Sequence, residues 1–267
     1  MRIAATAKKS ESSNTLDKKA MGVGDSSKIY RILIEGLYKD PIGSVVREIV
    51  SNGIDSHIEC GCTDRAVEVT APSTFDARFI VRDYGVSMTP EQVDNVFRML
   101  TVSSKDERDD LIGAFGLGSK TPLAYTDAFN LTTFIDGKKR IYSIYMDEGD
   151  IPNIDLMFES DTDEETGVEV AVPVQDRDVS RFHHAINEQL FFFQHPIEVH
   201  NLGGMFRFEQ FQCDHEKYGI RYGKPNNSMS RGTYIVQGGV GYRLDSSFIN
   251  NLDENDADDA DIMQFIR

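Results

Sequence analysis

The chain has 267 residues, 40% of them hydrophobic, with 16 Phe, 10 Tyr and no Trp, which is enough for one large domain or two modest ones around a packed core. Its formal net charge of −16 argues against nucleic acid as a bulk electrostatic partner, because phosphate backbones recruit Lys and Arg. No apolar run approaches the roughly 20 residues of a membrane span, the first residues lack a signal-peptide core, and three Cys without an export signal favour a reducing cytoplasm over a disulfide framework.

Residues 1–25 are polar and read as a flexible arm. Ile29, Ile32, Leu33 and Leu37 recur at helical spacing, and Asp40-Pro41 marks a stop. Pro41 opens a second helix that runs to about Cys60 and ends at Gly61. The segments 66–72 and 77–85 alternate as strands. Thr89 caps a short helix beginning at Pro90, and 101–112 is a polar loop. AFNLTTFID, KRIYSIYMD, IDLMFE and GVEVAVPV are strand candidates. A helix over Asp178–Phe193, a strand at PIEVHN and a Gly-rich region with β-like pieces complete the chain. The acidic runs at 147–165 and 253–261 read as solvated loops or tails. Cys60-Gly61-Cys62 and Cys213-Asp214-His215 lack the spacing of a structural zinc site.

Three stretches carry chemistry. On the second helix, Glu48, Asn52 and Asp55 fall at i, i+4 and i+7, so a carboxylate, an amide and another carboxylate share one stripe. The stripe is either the polar edge of an amphipathic helix or a place for a hydrated Mg²⁺ and an activated water. Next, the strand ARFIVRDYG delivers Asp83 to a glycine turn. There it is either ordinary turn chemistry or an acceptor for an exocyclic amine such as that of adenine. Third comes GAFGLGSKT. It departs from a P-loop because Ser119 separates Gly118 from Lys120 and no buried strand precedes it. The remaining readings are a hinge loop or a glycine lid whose Gly113, Gly116 and Gly118 approach phosphates, with Ser119 and Lys120 opening the next helix.

Taken in order, ExxxNxxDS, DYGVSM, a polar loop, GxxGxGSK and TGVEV resemble the GHKL ATPase superfamily of gyrase B subunits, MutL, large heat-shock chaperones and sensor histidine kinases. The resemblance covers about residues 26–175. Within the superfamily, KIYRILIEGLYKDPIGSVVREIVSNGIDSH and FGLGSKTPLAYTDAF look most like the phage rapid-lysis proteins of the rII-A type. The fold implied is a Bergerat-type α/β two-layer sandwich, a mixed and mostly antiparallel sheet with helices on one face. The cofactors implied are ATP and Mg²⁺.

By this resemblance, Glu48 is the general base, Asn52 the Mg²⁺ ligand and Asp55 a supporting group near the nucleotide. Asp83 binds the adenine amino group, Gly85 allows close approach of the ring, and Met88 packs on the base. Gly113, Gly116 and Gly118 form the lid, with Ser119 and Lys120 at its helix. Two positions depart from the pattern. Ser87 stands where a glycine is usual, and Gly167 is followed by Val168, so Thr166 takes the compensating role near adenine if both face one side of a strand. Residues 176–267 read as the start of a second, transducer-like region or an extension with an acidic tail, in a chain with no clear finish.

The expected activity is slow ATP hydrolysis coupled to lid closure and a nucleotide-dependent homodimer, during phage infection of a bacterial cytoplasm. The alternative is a nucleotide-binding module without useful turnover that binds a host or phage protein. A histidine-kinase reading lacks its acceptor module, since the first histidine, His57, lies inside the asparagine helix.

Overall fold

The computed structural model describes residues 39–98, 118–148 and 151–202, with five further short strands between 212 and 266. The predicted helix at 26–38, the polar loop 101–112 and the acidic tail lie outside the described residues.

Helix α1 (Pro41–Cys60) begins where Asp40 accepts a hydrogen bond from Gly43 N–H at 3.2 Å, with proline in the first turn. It ends at Gly61, whose φ of 73° is the left-handed conformation that glycine adopts without a Cβ penalty. Strands β1 (Val67–Thr70) and β2 (Arg78–Arg82) follow. Helix α2 (Pro90–Arg98) opens with a reciprocal cap between Thr89 and Gln92. A 3₁₀ helix (Gly118–Ala124) leads into β3 (Ala128–Ile135), β4 (Lys138–Met146), β5 (Pro152–Asp161) and β6 (Gly167–Pro173). Helix α3 (Val179–Gln189) and β7 (Ile197–His200) close this unit.

The seven strands form one sheet in the order β5-β4-β3-β6-β2-β1-β7. Neighbours are antiparallel except β1 and β7, which are parallel. Register places Val199, Val69, Val81, Val170, Leu131 and Tyr142 in one row across the sheet. These residues face α1 and α3, and Val45, Val46, Val50, Phe182 and Ile186 complete the core against them. The opposite face carries Glu68, Arg82 and Glu169 in register. The expected mixed, mostly antiparallel α/β sandwich is therefore the architecture of this unit.

Two expectations change. The anticipated boundary at 175 falls inside the unit: Tyr125 Oη donates to Asp178 and accepts from Gln175 N–H, α3 lies in the core, and β7 joins the sheet. The acidic run 147–165 is not simply loop, because most of it is the edge strand β5. Its acids pair with bases of β4, Arg140 with Glu159 and Lys138 with Asp161. The strand candidate IDLMFE within this run is the middle of β5, where Leu156, Met157 and Phe158 are all exposed.

Beyond 202, β8 (Gln212–His215), β9 (Ile220–Tyr222), β10 (Tyr234–Gln237), β11 (Val240–Arg243) and β12 (Phe265–Ile266) form a sheet of their own, ordered β11-β10-β12-β9-β8.

Candidate functional site

Helix α1 is buried on nearly every side, and the strip left half-open carries Arg47, Glu48, Asn52 and Ser56. Asp55 lies beside it at 1% exposure. Of the stripe read from spacing, Glu48 and Asn52 lie on this half-open strip, whereas Asp55 is buried. Glu48 Oε1 accepts two hydrogen bonds from the Arg47 guanidinium, each at 3.2 Å. A Cβ built on Gly118 would sit 2.8 Å from Glu48 Oε2, so the start of the 3₁₀ helix rests on this carboxylate. A side chain there would have to turn the flexible end of Glu48 aside.

Asp83 leaves the end of β2 as a buried carboxylate, 6% exposed. Its Oδ1 accepts from Ser56 Oγ at 3.1 Å and from Gly85 N–H at 3.0 Å. Burial pushes the carboxyl up to about 6, against the lowering effect of these donors and of Arg82. The helix comes this close because it carries little bulk on that side: a Cβ on Gly53 would meet Asp83 Cβ at 3.3 Å. At Gly85, a Cβ would meet the Ser56 backbone at 2.5 Å. Gly85 therefore serves contact between the turn and α1, a role that motif reading had assigned to a ring of the ligand.

The far side of the turn is held by β6. Asp83 N–H donates to Val168 O at 2.9 Å. Gly167 has φ 142°, and a Cβ there would meet Asp83 O at 2.1 Å, so no side chain fits. Ser87, which departs from the family pattern, has no left-handed backbone; its Oγ donates to Gly167 O at 2.7 Å and ties the two segments. Arg82 adds a clamp: its guanidinium donates to Asp83 O and, at 2.5 Å, to Glu165 O, while stacking over Phe134 at 4.0 Å. Thr166 is exposed and lies just before β6, which begins at Gly167, so the strand expected to carry both Thr166 and Val168 starts one residue later.

Met88 is half-buried and packs against the core beside this turn. Ser119 is half-buried in the 3₁₀ helix, and Thr121 Oγ1 donates to Gly118 O at 2.6 Å. The short helix expected at SKTPLAYT is a 3₁₀ helix over Gly118–Ala124, with Pro122 inside it. Lys120 is 1% exposed, burial brings its amine down to about 8, and Phe97 lies 6.0 Å away. It lies in the first turn of the 3₁₀ helix, as expected, but its side chain is enclosed. Gly113 and Gly116 lie outside the described residues.

Sequence reasoning missed the support beneath the turn. Tyr84 N–H donates to His57 Nε2 at 2.8 Å, which leaves His57 Nδ1 as the protonated nitrogen; it faces Arg65 O at 3.1 Å and His195 Nε2 at 2.9 Å. Burial lowers the pKa of both histidines. The available signal was position: His57 follows Ser56 on α1, one turn before the helix ends. Cys60 and Cys62 are joined by a disulfide across Gly61, with Cα atoms 5.5 Å apart, where composition had argued against disulfides.

No protein-family model and no curated protein sequence matches the chain. Among the described residues, no group of three His, Cys, Asp or Glu side chains is arranged to hold a metal by itself, and no helix is long and apolar enough to cross a membrane.

Proposed function

We propose that this protein binds Mg·ATP along α1, hydrolyses it slowly and associates in pairs when the nucleotide is bound. One observation supports the reading above the others. Helix α1 meets the buried Asp83 carboxylate through Ser56 at one end and carries Glu48 and Asn52 two turns earlier, where Glu48 lies against the start of the 3₁₀ helix. Eight residues of helix separate the two ends by about 12 Å, which suits a ligand with a base at one end and phosphates at the other.

In this reading Asp83 accepts from the exocyclic amine of adenine. The donors on Oδ1 fix the carboxylate in place. Glu48 orients a water and takes its proton, while Asn52 holds the metal. Mg²⁺, when bound, supplies charge neutralisation at the phosphates. Asp55 braces the stripe from its buried position. Ser119, Lys120 and the lid glycines Gly113, Gly116 and Gly118 serve the phosphate end, and Thr166 and Met88 the base end. Membership of the GHKL superfamily, a rapid-lysis type of role in an infected bacterial cytoplasm, and a host or phage protein partner belong to the same reading.

A second reading has its own observation. Arg47 occupies Glu48 Oε1 with two hydrogen bonds, on the group that has to act as the base. This favours a module that binds nucleotide without turnover and uses the bound state to engage another protein. Calorimetry with Mg²⁺ and a non-hydrolysable ATP analogue, beside phosphate release with ATP, separates the cases. Binding with release supports the first reading, binding without release the second. No binding refutes both.

A further inference from the structure

The end of α1 carries a feature that nucleotide chemistry does not use. Cys60, exposed, and Cys62, half-buried, flank Gly61 in the left-handed turn that stops the helix. The turn is held by Gly61 N–H to Ile58 O at 3.2 Å and Cys62 N–H to His57 O at 3.0 Å. This brings the two Cα atoms to 5.5 Å, inside the range a disulfide spans. A Cβ on Gly61 would meet nothing within 4 Å, so the outer side of the pair is open to a small reagent.

The pair is wired to the Asp83 turn through short contacts. The Cys62 sulfur lies 3.8 Å from Tyr84 O, and the Cys60 sulfur 3.4 Å from His57 O. Arg65 N–H donates to Cys62 O at 3.1 Å, Arg65 O faces His57 Nδ1, and the Arg65 guanidinium covers the Tyr84 ring at 3.9 Å. His57 in turn receives Tyr84 N–H. The two oxidation states therefore differ at the turn. As thiols, Cys62 can donate weakly to Tyr84 O and Cys60 to His57 O. As a disulfide, both donors are gone and the helix end is covalently closed.

We infer that Cys60 and Cys62 form a reversible redox site that reports to the Tyr84–Gly85 turn. The oxidant is a small-molecule disulfide of the glutathione class. The exposed Cys60 thiolate attacks one of its sulfurs, forming a mixed disulfide and expelling one thiolate. The Cys62 thiolate then attacks Cys60 Sγ, the second small thiolate leaves, and the protein has lost two electrons and two protons to the reagent. This inference stands on the geometry of the turn and is independent of nucleotide binding.

The test uses the full chain carrying Cys213→Ser, so that no third thiol competes. The protein is equilibrated across ratios of oxidised to reduced glutathione, quenched in acid, alkylated and read by mass spectrometry. The expected result is an intramolecular Cys60–Cys62 disulfide that appears with increasing oxidant and reverses with reductant. Cys62→Ser instead stops at the glutathione adduct on Cys60. In parallel, amide exchange at Tyr84 and Gly85 slows severalfold in the oxidised form, and not in Cys62→Ser under the same oxidant. Two alkylated thiols at every ratio overturn the site. A disulfide that leaves exchange at Tyr84 and Gly85 unchanged overturns the coupling.

Discussion

Asp83→Asn separates the stability of the turn from its chemistry. In the folded protein the carboxyl holds its proton up to about pH 6, whereas an ordinary aspartate releases it near 3.8. Between those values the folded state carries the extra proton, so stability falls as pH rises through that window and is level above it. The difference corresponds to a ceiling of about 3 kcal/mol at neutral pH. Asparagine is isosteric, keeps an oxygen for Ser56 Oγ and Gly85 N–H, and carries no charge to desolvate. Urea unfolding of both proteins from pH 4 to pH 8 is the assay. The variant's stability relative to wild type should rise across this range by about 1–3 kcal/mol, since residual solvation reduces the ceiling. Binding of an adenine nucleotide should weaken by more than tenfold. A stability difference that stays constant between pH 4 and pH 8 would refute the reasoning.

Gly85→Ala drives a Cβ into the Ser56 backbone, which cannot rotate away, and should cost about 1–3 kcal/mol. Gly61→Ala, with open space but left-handed φ, should cost about 1 kcal/mol; thermal unfolding of the two variants checks the order. Glu48→Ala should leave analogue binding within a fewfold of wild type in calorimetry while phosphate release falls about 10²–10⁴-fold. Equal turnover would remove Glu48 from the reaction. Arg82→Leu leaves two carbonyls, Asp83 O and Glu165 O, without this donor. It should destabilise by about 2–4 kcal/mol in urea titrations, with proteolysis appearing first in the loop before β6.

Much of this architecture was legible because its signals are local. Asp40-Pro41 and Gly61 bracket α1, Thr89 caps the start of α2, and alternation marks β1 and β2. The spacing of Glu48 and Asn52 found the open strip of α1 because helical period is a property of neighbours in sequence. What stayed hidden depends on distant partners. Nothing near Ser87 announces that its hydroxyl meets Gly167, and nothing near His57 announces His195. Lys120 read as a phosphate ligand from its motif, yet its burial is set by α2 and the core. Thr166 was placed by strand alternation, but the point at which β6 begins, Gly167, depends on its pairing with Phe134.

The parallel pairing of β1 with β7 has a consequence for synthesis. Val67 waits for Ile197 to become its neighbour, and the imidazole that receives Tyr84 waits for His195. A ribosome must therefore release nearly the whole first unit before its earliest strand acquires a second flank. Until then, the second edge of β1 is open to wrong pairings, as non-local strand pairing carries the loop-closure cost before its contacts form.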